Sequence, residues 1–364
     1  MDPIKTRNSL RTYTLGRFAL WLLSLAYLAA VSLRRALYSL GALKSRELPV
    51  PVVCFGNISA GGTGKTSTVV AAARELAKAG RKPAILMRGY KRDSAPGTLT
   101  VLAPGREFSK SAAGDEAQML YSMLEAHKVP VLVCADRYRS GTAAVAELGA
   151  DVLLMDDGFQ HFALRRDLDI AIVNATAPFL DDGLLPLGNL REPASAVRRA
   201  GAVILSHCEG AAPEAVAALR AGIASLNPAA EIYESTHVPE FFVDPLSGST
   251  LPLADLKKKE VAALSAIGDP ESFEASLARL GLRLKQIWRY PDHHPFTALE
   301  LRSAAQAAGG LKIITTYKDF VRFPAGWKEL LPGGVLILSV RIAFNGDGWS
   351  RLAAAMAGLK KGGA

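Results

Sequence analysis

The stretch Val52–Thr66, VVCFGNISAGGTGKT, decides the fold. Val52–Phe55 is β-branched and apolar, as a buried parallel strand would be, and Ser67–Ala79 continues in small residues and helix formers. Between them Gly61, Gly62 and Gly64 permit a backbone that turns its N–H groups inward around phosphate oxygens, in conformations a β-carbon would block. The start of the helix adds partial positive charge, Lys65 reaches the β/γ-phosphates, and the Thr66 hydroxyl can hold Mg2+. The expected nucleotide-binding segment is thus Ser59, Ala60, Gly61, Gly62, Thr63, Gly64, Lys65 and Thr66. Strict G-x-x-x-x-G-K-[ST] spacing asks for glycine where Ser59 stands, yet GGTGKT between a strand and a helix still marks a nucleoside triphosphate site. Ala60 takes the place of the signature lysine of the deviant phosphate-loop ATPases, which argues against a dimer-switch ATPase.

Downstream, apolar runs alternate with helical patterns in the rhythm of a doubly wound sheet whose strand ends carry the site. Pro83–Met87 leads into Arg88-Gly89-Tyr90-Lys91-Arg92, which suits either a ligand loop or a solvated charge run. Asp115 and Glu116 open a helix, where the macrodipole alone would favour them; behind a phosphate loop they also suit Mg2+ binding or general-base work on a hydroxyl. Asp151–His161, DVLLMDDGFQH, puts Asp156 and Asp157 at the tip of an apolar strand, the second half of a nucleotide–metal site. A plain turn at Asp157-Gly158 is the bland alternative. Strands at Asp169–Asn174 and Ala202–Ser206 flank the proline-rich loop Leu184–Pro193.

The chain has 364 residues, a net charge of +9 and three cysteines, Cys54, Cys134 and Cys208, without C-x-x-C spacing. That length allows one large or two ordinary domains, and the cysteines read as reduced core residues. Residues 1–50 carry eight basic side chains against two acidic ones, around the sixteen uncharged residues Phe18–Leu33. As a helix this run spans about 24 Å, short of the roughly 30 Å of a hydrocarbon core. Its basic flanks give no orientation bias and speak against a cleaved signal. A helix lying in, or dipping into, an anionic cytoplasmic leaflet is expected, with Trp21 and Tyr27 near the interface; a helix packed on its own domain is the alternative. No basic–aromatic interleaving or helix-turn-helix pattern points to nucleic acid.

Together the motifs resemble the tetraacyldisaccharide 4'-kinase family, the lipid A 4'-kinases of Gram-negative bacteria. The resemblance is carried by GN..AGGTGKT at Gly56–Thr66, RGY at Arg88–Tyr90, GDE at Gly114–Glu116, DDGFQH at Asp156–His161 and LREP at Leu190–Pro193. It continues in AIGDPESF at Ala266–Phe273, PDHHPF at Pro291–Phe296 and TTYKD at Thr315–Asp319, nearly the whole chain. The resemblance implies a kinase that uses ATP and Mg2+ to phosphorylate the 4'-hydroxyl of tetraacyldisaccharide 1-phosphate, giving lipid IVA in lipid A (lipopolysaccharide) biosynthesis. It further implies the lipid A disaccharide 1-phosphate and inner-membrane lipids as partners and action at the cytoplasmic face of the bacterial inner membrane; separately, a monomer with no nucleic-acid partner is expected. Carried over by residue, Asp115 is the base with His293 as its dyad partner, and Lys65 is the phosphate contact. Thr66, Glu116, Asp156, Asp157 and Glu192 are metal-binding candidates, and Arg137, His161 and Arg191 are phosphate or substrate contacts. Lys91 departs from the glycine that usually follows RGY, and Tyr317 from the usual TTEKD.

The expected architecture is α/β. An N-terminal basic, apolar membrane-associated helical segment (1–46) precedes a P-loop NTPase-type core with a doubly wound, mostly parallel sheet (47–230). A two-stranded linker (231–245) joins it to a smaller C-terminal α/β domain (246–364). In the linker Glu231–His237 and Glu240–Val243 read as extended pieces parted by Pro239. With Asp115 and His293 in different domains, the reading predicts closure over substrate. The rival function is a membrane-associated P-loop nucleotide switch, an ATPase or GTPase; its base-specifying N/T-K-x-D motif is missing. A soluble small-molecule kinase would leave Phe18–Leu33 without an external partner.

Overall fold

The unbroken apolar runs become strands covered on both faces, as a parallel sheet requires. The computed structural model describes residues 11–60, 64–89, 92–95, 97–292 and 294–361. Tyr90 and Lys91 lie outside the described residues, as do Gly61, Gly62, Thr63 and His293.

The chain forms two compact units. The first takes the described residues up to 113, then 123–236 and those from 342 onward; the second takes 114–122 and 237–341. The first unit contains β1 (Val52–Gly56), β2 (Pro83–Met87), β3 (Thr100–Leu102), β4 (Val131–Val133), β5 (Val152–Asp156), β6 (Leu168–Asn174), β7 (Ala202–Ser206) and the start of β8 (Glu231–Val243). Their order is β3-β4-β2-β5-β1-β6-β7-β8, parallel except for β3 against β4. Side chains alternate between the faces. Val52, Cys54, Leu153 and Met155 join Ala143 and Ala144 of the helix Arg137–Leu148 in one core. Ala171, Val173, Val203 and Leu205 join Val216, Leu219 and Ile223 of Pro213–Leu226 in the other. Strands β2, β3 and β4 lie on the β5 side of β1, and β7 and β8 on the β6 side, so β1 marks the switch point where loops at the strands' carboxyl ends open a crevice. The C-terminal helix Gly348–Gly358 packs on Lys65–Lys78, and the Lys361 ammonium beyond it pairs with Glu47 (2.9 Å) and Asp167 (3.1 Å).

The N-terminal helix also belongs to the first unit. It runs from Thr14 to Ser39, 26 residues, longer than the uncharged stretch alone. At about 1.5 Å per residue that is roughly 39 Å. One narrow face is docked: Leu20 and Ser24 are buried, the Ser24 hydroxyl accepts from the Leu187 amide at 3.0 Å, and the Tyr27 hydroxyl donates to the Arg191 carbonyl at 2.9 Å. The rest is apolar and open, with Leu15 80%, Leu33 61% and Leu23 57% exposed.

In the second unit β10 (Glu260–Ser265), β11 (Arg283–Arg289), β12 (Lys312–Thr316) and β13 (Val335–Phe344) form a parallel sheet in the order β11-β10-β12-β13, and β9 (Thr250–Leu251) pairs antiparallel with the end of β8. The helices Pro270–Arg279 and Ala298–Ala308 cover it, the first through Phe273 and Leu277, the second through Leu301 and Ala304. The expected pause at Pro239 is absent: Glu231–Val243 is one strand. Pro239 falls between the residues that pair with β7, ending at Glu234, and those that pair with β9, starting at Phe242.

Candidate active site

At the end of β1, Gly56 is obligatory because a β-carbon there would stand 2.6 Å from Cβ of Phe159. The chain then pairs with the proline-rich loop: the Ala60 amide donates to the Asn189 carbonyl and the Arg191 amide to the Ile58 carbonyl, both at 2.7 Å. This short antiparallel contact, Ser59 opposite Leu190, carries Arg191 to the site. Gly64 caps the helix Lys65–Lys78 in the left-handed region (φ 73°), which a side chain would strain. Thr66 lies in its first turn, part-buried.

Asp156 ends β5, opposite Phe55 of β1, and is buried. Asp157 follows with φ 48°, a region aspartate tolerates better than most residues. The Lys65 ammonium lies 3.6 Å from its Oδ1, and Arg191 Nη1 donates to Oδ1 (2.9 Å) and Oδ2 (3.0 Å). Burial alone would raise the Asp157 carboxyl, but Lys65 and then Arg191 outweigh it and hold the group below its usual range. Arg137, the first residue of its helix, is 3% exposed and donates to the Ala135 carbonyl at 3.1 Å. Its Nε meets no acceptor among the described residues, an open donor suited to an anion. Burial, aided by Arg88, pushes the guanidinium down to about 10, so it remains a cation at neutral pH. Burial and the neighbouring Arg137 push the His161 imidazole down to about 4, leaving it neutral near pH 7.

Glu192 is 1% exposed, and both its oxygens are taken: Arg199 binds them in a fork at 2.8 Å each, and the Gln160 amide donates to Oε1 at 2.9 Å and to the Asn57 carbonyl at 3.0 Å. The Arg199 guanidinium also covers the Phe159 ring at 4.5 Å. This buried pair ties the loop after β5 to the loop before β7. Arg199→Met leaves the Glu192 charge buried and unpaired, with an expected loss of about 3–5 kcal/mol of stability. Denaturant unfolding measures it, and a loss below about 1 kcal/mol would show that Glu192 finds another partner.

In the second unit Asp115 and Glu116, both exposed, begin the helix Asp115–Leu124. Arg322 Nε donates to Asp115 Oδ2 at 2.9 Å. Lys318 pairs with Asp292 at 3.0 Å, so this lysine holds the segment that leads to position 293. His294 is part-buried: its ring stacks on Tyr290 (4.8 Å between centroids, 17° between planes) and its Nε2 lies 3.0 Å from Glu300 Oε1. The Thr297 amide and His294 bring the Glu300 carboxyl down to about 2.

The structure of the first unit thus brings Lys65, Asp157 and Arg191 into direct contact. Glu192 lies on Arg199 and Gln160, and Asp115 and Glu116 belong to the second unit together with 237–341, so the expected placement of Asp115 in the P-loop core, and the closure argued from it, do not hold. Reading the sequence missed Arg199 and Arg322. Each had one faint signal: Arg199 stands in an Arg198-Arg199 pair that reads as solvated charge, and Arg322 stands alone among Phe320, Val321 and Phe323.

A parallel sheet whose switch-point strand leads through a glycine-capped turn to a lysine-led helix, with aspartates at the tip of the adjoining strand, defines the P-loop nucleoside-triphosphate-binding class. Within that class the family profile described as tetraacyldisaccharide-1-P 4'-kinase matches residues 16–357, and the chain belongs to this family. The tetraacyldisaccharide 4'-kinase of Elusimicrobium minutum (strain Pei191) is 42% identical over 347 residues, covering 95% of this chain and 92% of that one. That of Anaeromyxobacter dehalogenans (strain 2CP-C) is 42% identical over 297 residues, covering 81% and 78%. The crystal structure of LpxK from Aquifex aeolicus in complex with ATP superposes with a TM-score of 0.75 at 30% identity, covering 94% of this chain and 99% of that one.

Proposed function

We propose that the chain transfers the γ-phosphoryl group of ATP to the 4'-hydroxyl of tetraacyldisaccharide 1-phosphate, the step that gives lipid IVA in lipid A biosynthesis. The observation that carries this reading is the cluster of Lys65, Asp157 and Arg191 at the strand ends of a chain that matches the family over residues 16–357. Cations gathered on an exposed carboxylate at a strand tip form a ready phosphate site, and phosphoryl transfer depends mainly on positioning and charge stabilisation.

Lys65 turns from Asp157 to the β/γ-phosphates, and Arg137 and Arg191 face the charge that develops on the transferring group. The neutral His161 orients substrate by hydrogen bonding. Asp115 takes the proton of the sugar hydroxyl, with His293 as its dyad partner. The donor set Thr66, Asp156 and Asp157 consists of hard oxygens and fits Mg2+, with Glu116 as a further oxygen donor. When bound, the ion neutralises phosphate charge. Glu192 supports this set by holding Gln160, the residue three beyond Asp157. The decisive assay incubates protein, labelled ATP, Mg2+ and the disaccharide 1-phosphate in detergent micelles. Label on the sugar is expected; label only in free phosphate would overturn the reading in favour of a nucleotide switch.

The open apolar side of Thr14–Ser39 serves to dock the enzyme on the cytoplasmic leaflet of the inner membrane, where the substrate's acyl chains remain buried. Its basic flank, including Arg34 and Arg35, attracts anionic lipid. Replacing Leu15, Leu22 and Leu33 by serine removes roughly 1.5–3 kcal/mol of burial at each position, so partition onto phosphatidylglycerol vesicles should fall by at least about 1000-fold. Flotation measures this, and unchanged partition would show that the helix does not meet lipid.

A further inference from the structure

Arg322 stands where three motif segments of the second unit converge. It is 3% exposed; its Nη1 lies 3.5 Å from the Ala266 carbonyl, just past β10, and 3.6 Å from Asp319 Oδ1. Asp319 is itself fully buried, with Oδ2 accepting from the Thr316 hydroxyl at 2.9 Å and its amide donating back to that oxygen at 3.2 Å. The guanidinium is therefore anchored from behind, while its Nε donates forward to the half-exposed Asp115 at 2.9 Å.

A buried cation placed for stability alone would pair most closely with the buried carboxylate available to it. Here Asp319 is the more distant partner, and the shorter bond restrains a carboxylate at a helix start, where the macrodipole already favours negative charge. The planar, always-charged arginine fork fixes a carboxylate's plane as a flexible lysine does not. We infer that Arg322 is the positioning residue for Asp115, holding Oδ2 so that Oδ1 is presented to the acceptor hydroxyl. This rests on the reading of Asp115 as the base. A general base must lie within about 2.6–3.2 Å of the hydroxyl it serves, and a misplacement of about 1 Å can cost about 100-fold.

The test is a kinetic cycle on the full-length protein in detergent micelles, with folding checked by circular dichroism. Arg322→Met should lower kcat by about 100-fold while KM for ATP stays within about twofold. Arg322→Lys should recover part of the rate, and added guanidinium should partly rescue Arg322→Ala, which a merely structural role would not allow. The double variant with Asp115→Asn should be no slower than Asp115→Asn alone, because the arginine acts only through that carboxylate. If Arg322→Met does not fold, Arg322→Lys alone and with Asp115→Asn completes the same cycle. A near-normal kcat in a folded Arg322→Met, or losses that multiply in the double variant, overturns the inference. Near-normal turnover in Asp115→Asn instead sinks the base assignment, and this inference with it.

Discussion

Lys65→Ala lowers kcat for phosphoryl transfer by about 1000-fold, the upper end of the loss on removing one preorganised donor from a developing charge. The geometry says why the loss is large. Lys65 sits in the first turn of its helix, held by Asp157, and no other described lysine pairs with that carboxylate. Arg191 already grips both oxygens of Asp157 and is tied through its own carbonyl to Tyr27, so it cannot take over the lysine's place. Lys65→Arg should also fail, because the broader fork does not fit the space of a compact ammonium. Steady-state kinetics with labelled ATP measure the effect, and a kcat within tenfold of the parent would remove Lys65 from the phosphate site.

Asp115→Asn is expected to lower kcat by about 100- to 10,000-fold, the range general-base catalysis supplies, with ATP binding nearly unchanged. This substitution is more telling than alanine. The asparagine carbonyl can still accept from Arg322 Nε, which keeps the helix start and the buried guanidinium satisfied while removing basicity. Asp115→Ala should be as inactive, and less stable because Arg322 loses a partner. Isothermal titration with a non-hydrolysable ATP analogue, alongside turnover, separates chemistry from binding. Turnover close to that of the parent in the asparagine variant would reassign the base.

Much of the candidate site could be read in one dimension because its parts are local. The β1 strand, the glycine turn and the lysine-led helix depend on near neighbours: burial of an apolar run, the left-handed freedom of Gly64, the charge of a helix start. Asp156 and Asp157 were legible for the same reason, at the tip of β5. Glu192 was legible as important, but its surroundings were not. A glutamate in an Arg-Glu-Pro loop offers no sign that Arg199 will close on it from the next turn of chain. The length of the N-terminal helix was under-read, since a charge-free window ends at Arg17 and Arg34 although arginines continue a helix well.

The sequence by itself determined the phosphate loop, the parallel α/β architecture and the family, since each is written in contiguous residues whose backbone preferences and spacing act over a few positions. Tertiary structure alone decided that Arg322 meets Asp115 across 207 positions, that Arg199 locks Glu192, and that Gly348–Gly358 returns to cover Lys65–Lys78. A charged side chain looks the same in sequence whether solvated or buried. Only chain closure, which sets the distance to an opposite charge and excludes water from between them, makes such a residue part of the site.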